Sequence, residues 1–154
     1  MFDTVVVATD GSDSVGRAVQ VAIDLADRFD ATVHALYVID DEEVGSSPEE
    51  VREDLRNALD EHGSRALDEV VDLANEHSDE LEVTTEARQG RPADEIIGYA
   101  RSIDADVVVT GTRGRHGENR FLIGSVAERV VRTCPVPVLT VRRLTTENPH
   151  RVTI

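Results

Sequence analysis

The chain has 154 residues and a formal net charge of −15, from 31 acidic and 16 basic residues, all of the basic ones Arg. With no Lys, it has neither a Walker A loop, which needs Lys on the phosphates, nor a Schiff-base mechanism. So acidic a surface repels phosphate backbones and anionic bilayers, which argues against nucleic acid and membranes as partners.

The chain is long enough for one compact domain that folds without staples. Although acidic, it is 40% hydrophobic, and those residues fall in ordered patterns, so the charge reads as the coat of a folded protein rather than as disorder. A carboxylate excess with no Lys and few aromatics is similar to the cytoplasmic proteins of halophiles. Cys134 stands alone, which fits a reducing compartment and a small buried filler. The N-terminus, Met1-Phe2-Asp3-Thr4, has no basic region, and apolar runs stop at about five residues, too short to span a bilayer. The expected location is the cytoplasm.

In chain order, Val5-Val6-Val7-Ala8-Thr9 is an apolar run suited to a strand buried on both faces. Gly11-Ser12 ends it, and Val15, Ala18, Val19, Ala22, Ala26 and Phe29 follow at helical spacing. Ala31–Ile39 reads as a second strand, with His34 a strand residue rather than a ligand. Residues 40–50 read as a loop. Ser47-Pro48-Glu49-Glu50 has the form of a helix start, with Ser47 as cap and Glu50 closing a capping box. Val51, Leu55, Ala58, Leu59, Ala66, Val70 and Leu73 then mark one face of a long helix.

Leu81, Val83, Thr85 and Ala87 alternate with Glu82, Thr84, Glu86 and Arg88, which predicts an edge strand with one wet face. Gly90-Arg91-Pro92 opens a helix carrying Ile96, Ile97 and Ala100. Ala105–Thr110 is a fourth apolar strand. A glycine-bearing loop, 111–124, leads to a helix with Val126, Ala127, Val130 and Val131. Val136–Val141 is the fifth strand, placed at an edge because Pro137 cannot donate to a ladder. Residues 144–154 read as a polar tail. Five strands alternating with helices predict a parallel α/β sheet covered on both faces.

In such sheets ligands sit beyond the carboxyl ends of the strands, where the strand order reverses. Two loops qualify, Thr9-Asp10-Gly11-Ser12-Asp13 and Gly111–Ser125. The second carries three Arg and one Glu over 111–124, a local net of +2 in a strongly negative chain. Its glycines admit an anion to backbone N–H groups, and Gly124-Ser125 opens a helix whose dipole favours negative charge. Ser125 with Glu128 is equally a capping box needing no ligand, and spacing alone leaves both readings open. In the first loop, Asp10 suits neutral donors such as ribose hydroxyls rather than phosphate. The alternative there is a plain turn with Ser12 or Asp13 capping the next helix. His34, His62, His77, His116 and His150 are scattered and suggest no metal site. No nucleophile elbow occurs.

Gly111-x2-Gly114-x9-Gly124-Ser125 resembles the G-x2-G-x9-G-[S/T] signature of the ATP-binding universal stress proteins. Asp10-Gly11-Ser12, Tyr37-Val38-Ile39-Asp40, Ala105–Val109 and Cys134-Pro135-Val136-Pro137-Val138 agree with it, so the resemblance covers about residues 3–143. It implies an open, Rossmann-like five-stranded parallel sheet of order 3-2-1-4-5 with helices on both faces. It implies a single nucleotide-binding domain over 1–143 and a tail over 144–154. It implies that Asp10 and Val38 line the nucleoside end of an ATP site, with or without Mg2+. It implies that Gly111, Gly114, Gly124, Ser125 and Val126 contact ribose and phosphates, with Thr9 and Thr110 flanking. Arg113 and Arg115 join the phosphate contacts on the ground of their charge. Ala8 stands where many members have Pro. The resemblance further implies a homodimer through strand 136–141 and a stress-response sensor or adaptor with at most slow ATP hydrolysis. Asp10, Asp13 and His116 are the candidate bases for a slow ATPase, and a nucleotide-free dimeric scaffold is the remaining alternative.

The charge generates a first expectation. Molar salt shortens the Debye length to about 3 Å and screens the carboxylates from one another. The fold should therefore loosen in dilute buffer. Far-UV circular dichroism from molar salt to tens of millimolar checks this, and a melting temperature constant across that range would remove the halophile reading.

Overall fold

The computed structural model describes residues 2–112 and 123–144. Five strands form one parallel sheet: β1 (Thr4–Ala8), β2 (Thr32–Asp40), β3 (Val83–Gly90), β4 (Val107–Gly111) and β5 (Val138–Val141). Their order is β3-β2-β1-β4-β5, as expected. β1 pairs with β2 on one side (Val6 opposite His34) and with β4 on the other (Val6 opposite Val108). β3 and β5 are the edges.

The helices are α1 (Gly16–Phe29), α2 (Asp41–Gly45), α3 (Arg52–His77), α4 (Pro92–Ser102) and α5 (Ser125–Thr133). Alternation along the buried strands sorts their side chains between two cores. Val5, Val7, Val33, Ala35, Tyr37, Val107 and Val109 face α1 and α3. Val6, Leu36 and Val108 face α4, with Val130 of α5 in the same cluster. The apolar runs in β1 and β4 are continuous because both of their faces are covered.

Several local expectations change. The predicted loop after β2 contains α2, capped by Asp40, whose Oδ1 accepts the Glu42 N–H at 2.9 Å, and anchored by buried Val44. Ser47 caps nothing; its hydroxyl donates to the Glu43 carbonyl at 2.9 Å, and a 3-10 turn over Glu49–Val51 precedes α3. The beginning of α3 stands off the core, so Val51 and Ala58 are exposed, whereas Leu59, Ala66, Leu67, Val70 and Ala74 are buried. β3 runs on to Gly90. Its expected wet side is partly covered: Arg88 lies 4.9 Å from the Tyr99 ring centroid and pairs with Glu95 at 3.6 Å. β5 is shorter than 136–141, beginning after Pro137, whose carbonyl still accepts the Val108 N–H at 2.9 Å. Val131 is exposed and Cys134 half-buried.

His34 is a strand residue, its Nδ1 2.9 Å from the Tyr99 hydroxyl. Burial lowers the His34 pKa from its usual value. Burial, with Glu86 adding to it against Arg88, raises that of Tyr99. Both shifts favour the neutral forms, so the contact joins an uncharged imidazole to an uncharged phenol.

Gly63, in the middle of α3, marks a close approach. A Cβ built there would lie 2.5 Å from Cδ1 and 2.6 Å from Cε1 of Tyr37. Tyr37 is 2% exposed, so its ring has little room to retreat. Gly→Ala in an open helix interior gains about 1 kcal/mol. Here the sign should reverse, and Gly63→Ala should destabilise the fold by about 1–3 kcal/mol through overpacking. Urea unfolding measures it; a gain in stability would show that α3 can lift from the sheet without cost.

Candidate functional site

Chain connectivity places the site. β1 continues towards β2 on one side and β4 towards β5 on the other, so their following loops part and leave a crevice at the carboxyl edge. A cavity of about 250 Å³ lies there. Ala8, Leu36, Val38 and Ile96 make its apolar wall. Asp10, Asp40 and Glu43 line it with carboxylates, while Thr110, Gly111, Thr112 and the start of α5 contribute the other polar groups.

The turn after β1 is built from its own side chains. The Thr9 N–H donates to the Leu36 carbonyl at 2.9 Å, continuing the ladder one residue past β1. Thr9 is buried, and its Oγ1 accepts the Gly11 N–H at 3.1 Å. Asp10 Oδ1 accepts from both the N–H (2.9 Å) and the hydroxyl (2.6 Å) of Ser12. Asp10 thus organises the turn through its own carboxylate. Ser12 stands at the cap position of the 3-10 turn Asp13–Val15 but makes no side-chain cap bond, and Asp13 lies within that turn. Gly11 adopts φ +76°, a left-handed conformation that favours glycine.

α5 supplies the opposite character. Gly124 is its N-cap and Ser125 its first helical residue, with no side-chain cap bond. The expected Ser125–Glu128 capping box is therefore absent, and Glu128 pairs instead with Arg132. The first-turn N–H groups of a helix have no intrahelical partner, and the dipole makes this end attractive to an anion. Gly124 donates its N–H to the Thr112 carbonyl at 2.5 Å, tying the helix start to the end of β4. Its φ of −64° is open to any residue.

Of the residues singled out from sequence, Thr9, Asp10, Val38, Thr110, Gly111, Gly124, Ser125 and Val126 all line the cavity. Arg113, Gly114 and Arg115 lie outside the described residues, as does His116. Sequence reasoning missed Leu36, Ile96, Asp40 and Glu43 as wall residues. It also missed His62, whose Nε2 is 2.9 Å from the Asp10 carbonyl oxygen. Glycine within an otherwise good helix, at Gly63, was the available signal for the close approach that brings His62 in. Among the described residues no group of three or more His, Cys, Asp or Glu is arranged to hold a metal ion, and no helix is long and apolar enough to cross a membrane. Chemically, the cavity offers an apolar wall, carboxylate acceptors for hydroxyls or amines, and the start of a helix whose N–H groups suit an anion.

The profile of the universal stress protein family matches residues 1–142. Universal stress protein MJ0531 of Methanocaldococcus jannaschii is 40% identical over 144 residues, which cover 93% of this chain and 84% of that protein. Among solved structures, hypothetical protein MJ0577 superposes with a TM-score of 0.78 at 28% identity, over 95% of this chain and 99% of that one. A universal stress protein in complex with cAMP superposes with a TM-score of 0.71 at 28% identity, over 92% of this chain and 97% of that one.

Proposed function

This chain belongs to the universal stress protein family, and we propose that it is a cytoplasmic ATP-binding member acting as a nucleotide-dependent sensor or adaptor in a stress response. The observation that carries this reading is the convergence of Asp10, Val38 and the uncapped start of α5 on one cavity between β1 and β4. The similar protein in complex with cAMP supports an adenine nucleotide as the ligand class.

In this reading residues 1–143 form one nucleotide-binding domain followed by the tail. Adenine lies against the apolar wall at Leu36, Val38 and Ile96. Ribose hydroxyls donate to Asp10, and the phosphates take the N–H groups at Ser125 and Val126, with Thr9, Thr110 and Gly111 flanking. Arg113, Gly114 and Arg115 contribute from the basic segment, and Mg2+ accompanies the phosphates where it is present. Asp10 already spends Oδ1 on Ser12, which favours a binding role for it over that of a base for water. A halophilic salt requirement is proposed separately, on the net charge of −15.

The second copy is proposed from β5. This strand pairs with β4 on one side and is an edge of the sheet. Leu139 on it is 38% exposed, and nearby α5 leaves Val131 49% exposed. An apolar edge of this kind invites pairing with another strand, and a two-fold axis lets it pair with itself.

The expected result for Gly124→Val is loss of ATP binding with the fold intact, since the φ there is ordinary and the branch would occupy the phosphate's place. Asp10→Ala should weaken binding about tenfold to a few-hundredfold, through charge-assisted hydrogen bonding worth roughly 1.5–3 kcal/mol in total. Calorimetric titration at one fixed high salt concentration measures both; tighter binding by Asp10→Gly would move the phosphates to the first loop and sink the placement. Leu139→Asp should shift the protein from dimer towards monomer in analytical sedimentation. A wild-type monomer at micromolar concentration would contradict the pairing.

A further inference from the structure

His62 lies in the middle of α3, 52 residues from Asp10 in sequence, and approaches the turn after β1 from behind. Its Nε2 is 2.9 Å from the Asp10 carbonyl oxygen. A carbonyl oxygen can only accept, so the ring must carry its proton on Nε2 for this contact to be a hydrogen bond. A Cβ on Gly11 would come within 2.5 Å of that Nε2 and 2.9 Å of Cε1. The glycine at position 11 therefore meets two demands at once, a left-handed φ and room for the ring. On its other side the His62 ring meets the Tyr37 ring edge-on, with centroids 5.9 Å apart. Tyr37 in turn lies against Gly63. The imidazole is thus held between a core aromatic and the turn, and its freedom to leave the Asp10 carbonyl is small.

We propose that His62 is a positioning residue for the nucleotide site: through its Nε2–H bond to the Asp10 carbonyl it fixes the direction in which Asp10 presents its carboxylate to ribose hydroxyls. The inference rests on the reading of the site given above. Asp10 is then held at three points, its carbonyl by His62 and its Oδ1 by the N–H and hydroxyl of Ser12. A carboxylate ordered before the ligand arrives spares the ligand the cost of ordering it. His62 touches no ligand; its effect passes through Asp10, and it should appear in contacts to the sugar hydroxyls and not in contacts to base or phosphates.

The test is calorimetric titration with ATP and with 2′,3′-dideoxy-ATP, at one fixed high salt concentration, of wild-type protein, His62→Leu and His62→Gln. Wild-type protein should prefer ATP by about tenfold, the equivalent of one hydrogen bond. His62→Leu should lose most of that preference, binding ATP about tenfold more weakly and the dideoxy nucleotide within about twofold of wild type. His62→Gln, which keeps an N–H donor, should restore the preference. Equal weakening of both nucleotides by His62→Leu would make the ring a support of the fold alone and overturn the inference, as would unchanged ATP binding. Wild-type protein that binds no ATP would instead overturn the reading of the site. A nitrogen-correlated imidazole spectrum of the wild-type protein needs no variant to fold. It should show His62 protonated at Nε2, and a bare Nε2 overturns the inference.

Discussion

Hydrogen bonding between β1 and β4 is the contact on which the rest of the site depends. It joins two strands that are separated in sequence by about two-thirds of the chain, and it sets Val5, Val6 and Val7 opposite Val107, Val108 and Val109. That register puts the residues that follow each strand, Thr9-Asp10 and Thr110-Gly111, along one edge of the sheet. Because β2 lies on the far side of β1 and β5 on the far side of β4, the two connections leave in opposite directions. The crevice between them follows from connectivity, with no requirement on the chemistry of the loops. What the loops supply is the character of the crevice: a carboxylate at one wall, an uncapped helix start at the other.

The sheet also explains why α3 can shape a turn it does not adjoin in sequence. α3 packs on the face that carries Val5, Val33, Ala35 and Tyr37, and it lies close because position 63 has no side chain. Glycine in a helix interior costs about 1 kcal/mol relative to Ala. The return is contact between the helix and the Tyr37 ring, which is among the largest fully buried side chains. With α3 that near, the neighbouring residue His62 reaches the backbone of Asp10. Packing in the core and geometry at the cavity are two ends of one arrangement.

Charge is divided in a comparable way. The chain is strongly acidic, yet three Arg stand in the segment between β4 and α5. The α5 end adds the partial positive charge of a helix start, and the β1 and β2 ends of the cavity add Asp10, Asp40 and Glu43. A ligand with an anionic group at one end and hydrogen-bond donors at the other is complementary to that polarity in one orientation. The reverse orientation sets anion against carboxylates. The apolar wall between them carries little directional preference, so the polar ends decide how a ligand lies.

Much of this was legible in the sequence. Unbroken apolar runs such as Val5–Ala8 and Val107–Val109 identify strands covered on both faces, and their alternation with helical spacing identifies a parallel α/β sheet, because these are periodicities of the backbone itself. The strand order came from the resemblance carried by Gly111, Gly114, Gly124 and Ser125, and periodicity alone does not contain it. Side-chain competition between nearby acceptors and donors was not legible. Ser47 and Ser125 each have the sequence form of a cap, but one bonds to Glu43 and the other falls a residue inside its helix. A cap depends on where the preceding chain enters, and packing settles that. The apolar wall was equally hidden, since Leu36 and Ile96 look like any other core residues until β2 and α4 are brought to the same edge. His62 is the clearest case. As a lone histidine in an acidic helix it has no local pattern to distinguish it, and only the approach of α3 to the sheet, permitted at Gly63, brings it to within 2.9 Å of the Asp10 carbonyl. The sequence by itself determined which segments are buried and which two loops could carry chemistry, because burial and turn formation are written in local composition. The tertiary structure decided which distant side chains complete those loops, because such contacts depend on how closely the elements pack.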